Sequence, residues 1–101
     1  VAKNEPIPED TEELDLTNTR LTEIPALGHA KALSSLSMRD NKLIYLSPLS
    51  AVSSLVTLDL YGNKIKAIEH LKNNTQLTSL DLSFNEVREI EGLEALVKLQ
   101  D

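Results

Sequence analysis

Leucine and other aliphatic residues recur along this chain with a period of 22 residues, from Leu33 through Leu55 and Leu77 to Leu99. Counting the leucine that opens each period as position one, position four holds Leu14, Leu36, Leu58 and Leu80. Position six holds Leu16, Met38, Leu60 and Leu82. Apolar side chains return at positions eleven (Leu21, Leu43, Ile65, Val87), fourteen (Ile24, Leu46, Ile68, Ile90) and seventeen (Leu27, Leu49, Leu71, Leu93). Position twenty holds Ala30, Val52 and Leu96, with Asn74 breaking the apolar series. Two apolar residues spaced by two leave the same face of a short strand. The later steps of three suit 3₁₀-like or extended chain returning over that face. The pattern predicts four short parallel strands centred on positions four to six, with Leu58, Leu60, Leu80 and Leu82 buried.

One such coil cannot bury its apolar side alone, whereas stacked coils share a continuous column of leucines. The expected fold is therefore a solenoid of α/β type, with a concave parallel β-sheet and a convex side of 3₁₀ and extended turns. Residues 1–10 lie outside the register and carry Pro6 and Pro8, so they read as an extended lead-in or cap. The repeats then run over 11–32, 33–54, 55–76 and 77–98, with a truncated repeat from Leu99. Because the chain stops three residues into that repeat, Leu93, Leu96 and Leu99 are expected to be less protected than Leu58, or covered by a second chain.

Position nine is asparagine in three repeats: Asn41, Asn63 and Asn85. A sharp bend after a strand leaves backbone groups unpaired, and a buried amide supplies both donors and an acceptor. These three side chains are expected to form a structural ladder. Thr19, at the same position in the first repeat, offers a single hydroxyl donor.

The outward strand positions carry the candidate chemistry. Position five is Asp15, Ser37, Asp59 and Asp81, and position seven is Thr17, Arg39, Tyr61 and Ser83. Neighbouring strands lie ~4.8 Å apart, so Asp59 and Asp81 present adjacent carboxylates at about the separation used by retaining glycosidases. An open sheet with no pocket walls does not suit catalysis or a dedicated metal site. The reading taken is a non-catalytic protein-binding face of Asp15, Ser37, Asp59, Tyr61 and Asp81, with no cofactor. Tyr61 and Phe84 are the aromatics nearest it, and exposed aromatics anchor interfaces; packing against the loop edge explains Phe84 equally well. His29 and His70 occupy different repeat positions and read as surface residues. Asn73-Asn74-Thr75 matches a glycosylation sequon and reads as a polar bend.

Composition narrows the partners. The net charge of −6 disfavours nucleic acid and anionic membrane surfaces, and it permits a partner with a basic patch. There is no Cys, which excludes disulfides and thiolate metal sites. No apolar run approaches the ~20 residues of a membrane span.

The repeat L-x-x-L-x-L-x-x-N-x-L, as in LDLYGNKIKAIEHL at 58–71 and LDLSFNEVREIEGLEALVKL at 80–99, resembles the leucine-rich repeats. Within them the chain is similar to the regulatory subunit 7 family of protein phosphatase 1, over residues 11–101. Axonemal dynein light chains, a spliceosomal leucine-rich protein and bacterial internalins share the consensus, and Leu46-Ser47-Pro48-Leu49 looks more like an internalin turn. The resemblance implies a cytoplasmic and nuclear regulatory subunit that binds the phosphatase 1 catalytic subunit on its concave face. In that family acidic and aromatic residues at position five make the contact, which implicates Asp59 and Asp81, and Asp15 after them. Ser37 departs from the pattern.

Overall fold

The computed structural model describes residues 9–25, 27, 30–89 and 92–99. Four three-residue strands, β1 (Glu13–Asp15), β2 (Ser35–Ser37), β3 (Thr57–Asp59) and β4 (Ser79–Asp81), pair in parallel in the order β1-β2-β3-β4. The register carries the repeat directly into space: Leu14 stands beside Leu36, Leu36 beside Leu58, and Leu58 beside Leu80.

The strands occupy positions three to five, one residue earlier than the apolar pattern predicts. Backbone pairing begins early, because the position-three amides of Ser35 and Thr57 donate to the carbonyls of Glu12 and Ser34 in the preceding coil, both at 3.0 Å. It then outlasts the strands. The position-eight amides of Asn18, Asp40 and Gly62 donate to Arg39, Tyr61 and Ser83 carbonyls of the next coil at 2.8–3.0 Å. Position eight is left-handed in every coil, with φ of 52° at Asn18, 56° at Asp40, 73° at Gly62 and 58° at Phe84. This bend turns the chain off the sheet. Asn, Asp and Gly adopt it readily, whereas a phenylalanine there is strained by ~1–2 kcal/mol.

Beneath the sheet the leucine column forms one core, in which Leu33, Leu36, Leu43, Leu49, Leu55, Leu58 and Leu60 are buried. Each fully buried aliphatic side chain contributes ~1.5–3 kcal/mol. Leu80 and Leu82, expected to be buried, are half-buried instead, as are Val87, Leu93 and Leu99. They belong to the last described coils, which have a neighbour on one side only. Leu77 and Leu96, in the same coil, are the exceptions and are buried.

The position-nine asparagines tie each coil to the one before it. Asn41 accepts from the amides of Thr19 and Leu21 at 3.1 and 2.9 Å, and donates to the carbonyls of Leu16 and Met38 at 3.0 and 2.9 Å. Asn63 repeats this with the Leu43 amide at 3.1 Å and the Met38 and Leu60 carbonyls at 3.0 and 2.9 Å. Asn85, half-buried, does the same with Ile65, Leu60 and Leu82. Thr19 is exposed, and its hydroxyl donates at 2.8 Å to Leu16 of its own coil.

A further buried asparagine lies where the sequence suggested a polar bend. Asn73 and Thr75 are exposed, but Asn74 between them is fully buried. Its amide donates to the Leu49 and Val52 carbonyls at 3.0 and 2.7 Å, while its oxygen has no partner among the described residues. Asn73 donates to the Ser50 carbonyl at 3.0 Å.

The return legs differ for a local reason. Position sixteen is left-handed at His70 (φ 65°) and Gly92 (φ 79°). Pro48 holds that position in the second coil, and its ring locks φ near −65°. That leg winds instead into a 3₁₀ helix, Ser47–Ala51, closed by Leu49 and Val52 amides donating to Leu46 and Leu49. Ile90, Glu91, His29 and the lead-in up to Pro8 lie outside the described residues.

Candidate protein-binding face

Parallel pairing in register brings the four position-five residues into one row: Asp15 beside Ser37, Ser37 beside Asp59, and Asp59 beside Asp81. The sequence reading pointed these aspartates simply at solvent. Each in fact holds the backbone as well. Oδ1 accepts from the amide two residues on: from Thr17 at 2.9 Å in Asp15, Tyr61 at 3.1 Å in Asp59 and Ser83 at 2.9 Å in Asp81. A short carboxylate reaching forward in this way steadies a turn. In Asp15 the Thr17 hydroxyl adds a second bond, and together these hold the carboxyl below the usual aspartate range. Ser37, without a carboxylate, meets the Thr17 hydroxyl at 3.2 Å.

The second carboxylate oxygen remains for other work. In Asp59 it lies 3.5 Å from Nε of Arg39, one coil earlier. The same guanidinium lies over the Tyr61 ring, 4.4 Å from its centroid. Tyr61 in turn meets Phe84 at 5.0 Å between centroids, tilted by 56°. Arg39, Tyr61 and Phe84 thus form a continuous stack across three coils. Phe84 is its outer member, with 76% of its surface exposed. Aromatic pairs of this geometry are favourable by ~0.5–1.5 kcal/mol beyond burial.

Arg39 is the residue the sequence reading left out. Its signal was present: it shares position seven with Tyr61, so the two must stand on adjacent coils. The ion pair needed a third fact, that a position-seven side chain leans toward position five of the next coil. Thr17 to Ser37 and Arg39 to Asp59 both follow that rule.

The face is not wholly flat. A shallow depression of about 320 Å³ lies along β3 and β4, bordered by the side chains of Asp59, Asp81, Thr57, Ser79 and Ser83 and by the chain at Leu58, Leu80 and Leu82. It offers carboxylate and hydroxyl oxygens and no described basic side chain. His70 lies away from this face and stands 3.6 Å from Glu69. Among the described residues no cluster of His, Asp and Glu is placed to hold a metal ion, and no helix is long and apolar enough to cross a membrane.

The family profile of leucine rich repeats (2 copies) matches residues 31–73 and 53–95, together well over half of the chain. The chain belongs to the leucine-rich repeat family. No curated protein matches its sequence significantly. Among solved structures, an internalin (InlF) of Listeria monocytogenes superposes with a TM-score of 0.79 at 26% identity, over 86% of this chain and 26% of its own. Internalin C2 from the same bacterium gives 0.69 at 31% identity, over 74% of this chain and 33% of its own. The Drosophila melanogaster SNF/U2A' complex gives 0.70 at 20% identity, over 90% of this chain and 58% of the matched one, a likeness of fold alone. The chain therefore spans a third or less of the two internalins. What these neighbours have in common with it is the repeat.

Proposed function

We propose that this leucine-rich repeat chain is a non-catalytic scaffold that docks a protein on its concave face, and that the partner is the catalytic subunit of protein phosphatase 1. The observation that carries this reading is the row of Asp15, Ser37, Asp59 and Asp81, flanked by Tyr61 and the exposed Phe84. A rigid sheet presents acidic and aromatic groups at fixed spacing. Such groups complement basic patches and set association rate and specificity, with a strong dependence on salt. On this reading the chain acts in the cytoplasm and nucleus.

Capture of purified phosphatase 1 catalytic subunit by the immobilised chain tests it. Asp59→Lys with Asp81→Lys reduces capture, while Glu69→Lys with Glu89→Lys, outside the row, leaves it intact; circular dichroism checks that both fold. Equal capture by both variants removes the concave-face assignment. Absence of capture by the unaltered chain removes the phosphatase and leaves an internalin-like adaptor. That second reading is supported by the Pro48 3₁₀ turn and by the likeness to two internalins.

A further inference from the structure

Position seven of each coil leans toward position five of the next. Thr17 meets Ser37, hydroxyl to hydroxyl, and Arg39 meets Asp59, cation to carboxylate. The third member of the series breaks the rule. Position seven of the third coil is Tyr61, which has no cation to offer, and its ring turns to Phe84. Asp81 is left with its Oδ1 on the Ser83 amide and with no basic partner among the described residues.

The filled site shows what the unfilled one would take. At Asp59 the occupant is a guanidinium that pairs with a carboxylate oxygen while lying on an aromatic ring. One coil on, the position-five carboxylate recurs, with hydroxyls from Thr57, Ser79 and Ser83 around a depression of about 320 Å³; Ser83 stands where the ring of Tyr61 was, and the nearest exposed ring is Phe84 at position eight, beside the residues that border the depression. Every polar side chain bordering the depression can accept a hydrogen bond. A planar guanidinium presents five donors, stacks on aromatic faces and sheds water more easily than an ammonium.

We propose that the depression beside Asp81 receives an arginine side chain of the docked protein, its guanidinium paired with Asp81 and lying against the exposed ring of Phe84. The inference rests on the concave-face reading above and names the chemistry of the partner there: a basic segment that inserts an arginine. Arg39 is the internal template for that contact. The exposure of Phe84 in a strained left-handed conformation then has a use, since the ring is held outward where an incoming cation can reach it.

The test uses isotope-labelled chain titrated with N-acetyl-arginine amide, and separately with N-acetyl-lysine amide, followed by amide chemical shifts. The arginine probe shifts the amides of Asp81, Ser83 and Phe84 and binds more tightly than the lysine probe. Asp81→Asn keeps an oxygen for the Ser83 amide, so the turn stays formed, and it abolishes the charge-dependent shifts. Phe84→Ala weakens binding at least about three-fold, the size expected of an exposed cation–aromatic contact. Arg39→Ala vacates the template, and a second set of shifts at Asp59 and Tyr61 appears. Equal response to both probes, shifts confined to the acidic stretch Glu9–Glu13, or no second set with Arg39→Ala would each overturn the proposal. Phosphatase capture is read independently: its loss with the arginine response intact removes the partner and keeps the pocket. Capture that survives without an arginine response does the reverse.

Discussion

Asn63 is the residue at which the repeat's polar logic can be tested most sharply. Its side chain is 6% exposed and joins two coils through three short hydrogen bonds. Replacing it with alanine leaves the Leu43 amide without an acceptor, in a residue that is itself fully buried. An orphaned buried donor costs ~1–3 kcal/mol. The Met38 and Leu60 carbonyls fare better, since each retains a second donor from Asn41 or Asn85. Losing one of two bonds at each adds ~0.5–1 kcal/mol. The expected total for Asn63→Ala is ~2–5 kcal/mol, a large share of the ~5–15 kcal/mol that holds a typical domain together. Asn85→Ala removes the same pattern from a half-buried site, where water can replace it, and is expected to cost about half as much. Asn63→Asp supplies the decisive control. It preserves the acceptor for Leu43 but turns a carboxylate oxygen toward the Met38 and Leu60 carbonyls. At neutral pH it should therefore be more damaging than alanine, and acid should relieve it by protonating the buried carboxylate. Urea unfolding followed by circular dichroism, with the m-value checked for constancy, gives the three differences. If Asn63→Ala costs no more than Asn85→Ala, or Asn63→Asp is the milder change at pH 7, the explanation by buried unpaired groups is refuted.

Three other expectations follow from burial and backbone geometry. Leu58→Ala should cost ~2–5 kcal/mol, as for a fully buried leucine, and Leu80→Ala distinctly less because its coil is covered on one side; equal urea midpoints for the two would contradict the burial difference. Gly92→Ala drives a Cβ into the Ile68 carbonyl oxygen at a φ of +79°, and is expected to lower stability by ~1–3 kcal/mol in thermal unfolding. Thr17→Ala removes the hydroxyl that lowers Asp15's pKa, so a carbon-detected NMR titration should show that carboxyl rising toward the ordinary aspartate value. Since the folded-state value is depressed, the contribution of Asp15 is present above its unfolded pKa and is lost as pH falls through the folded one. Acid unfolding of the variant should show less of that dependence, and an unchanged titration would mean that the hydroxyl is not its cause.

Much of this molecule is legible along the chain because its period is unbroken. Every residue at one repeat position meets its counterpart 22 residues away, so Leu36 beside Leu58 and Asp59 beside Asp81 follow from counting. The row of position-five residues and the asparagines at position nine came from the same arithmetic, since a parallel stack converts sequence interval into adjacency. What counting misses is anything that depends on direction rather than position. The strands begin one residue early because hydrogen bonding in the ladder, and not the apolar pair, sets their ends. Asn74 looks polar in the sequence and is buried because its register position faces the core, where two carbonyls need a donor. Leu80 and Leu82 carry the same letters as Leu58 and Leu60, yet are half-buried because the strand of the last described coil has a neighbouring strand on one side only. Arg39 sits on Tyr61 and against Asp59 because position-seven side chains lean forward along the stack. The linear chain determined which residues share a column. The direction of each side chain within that column, and how much of it stays in water, was decided only by the stacked coils around it.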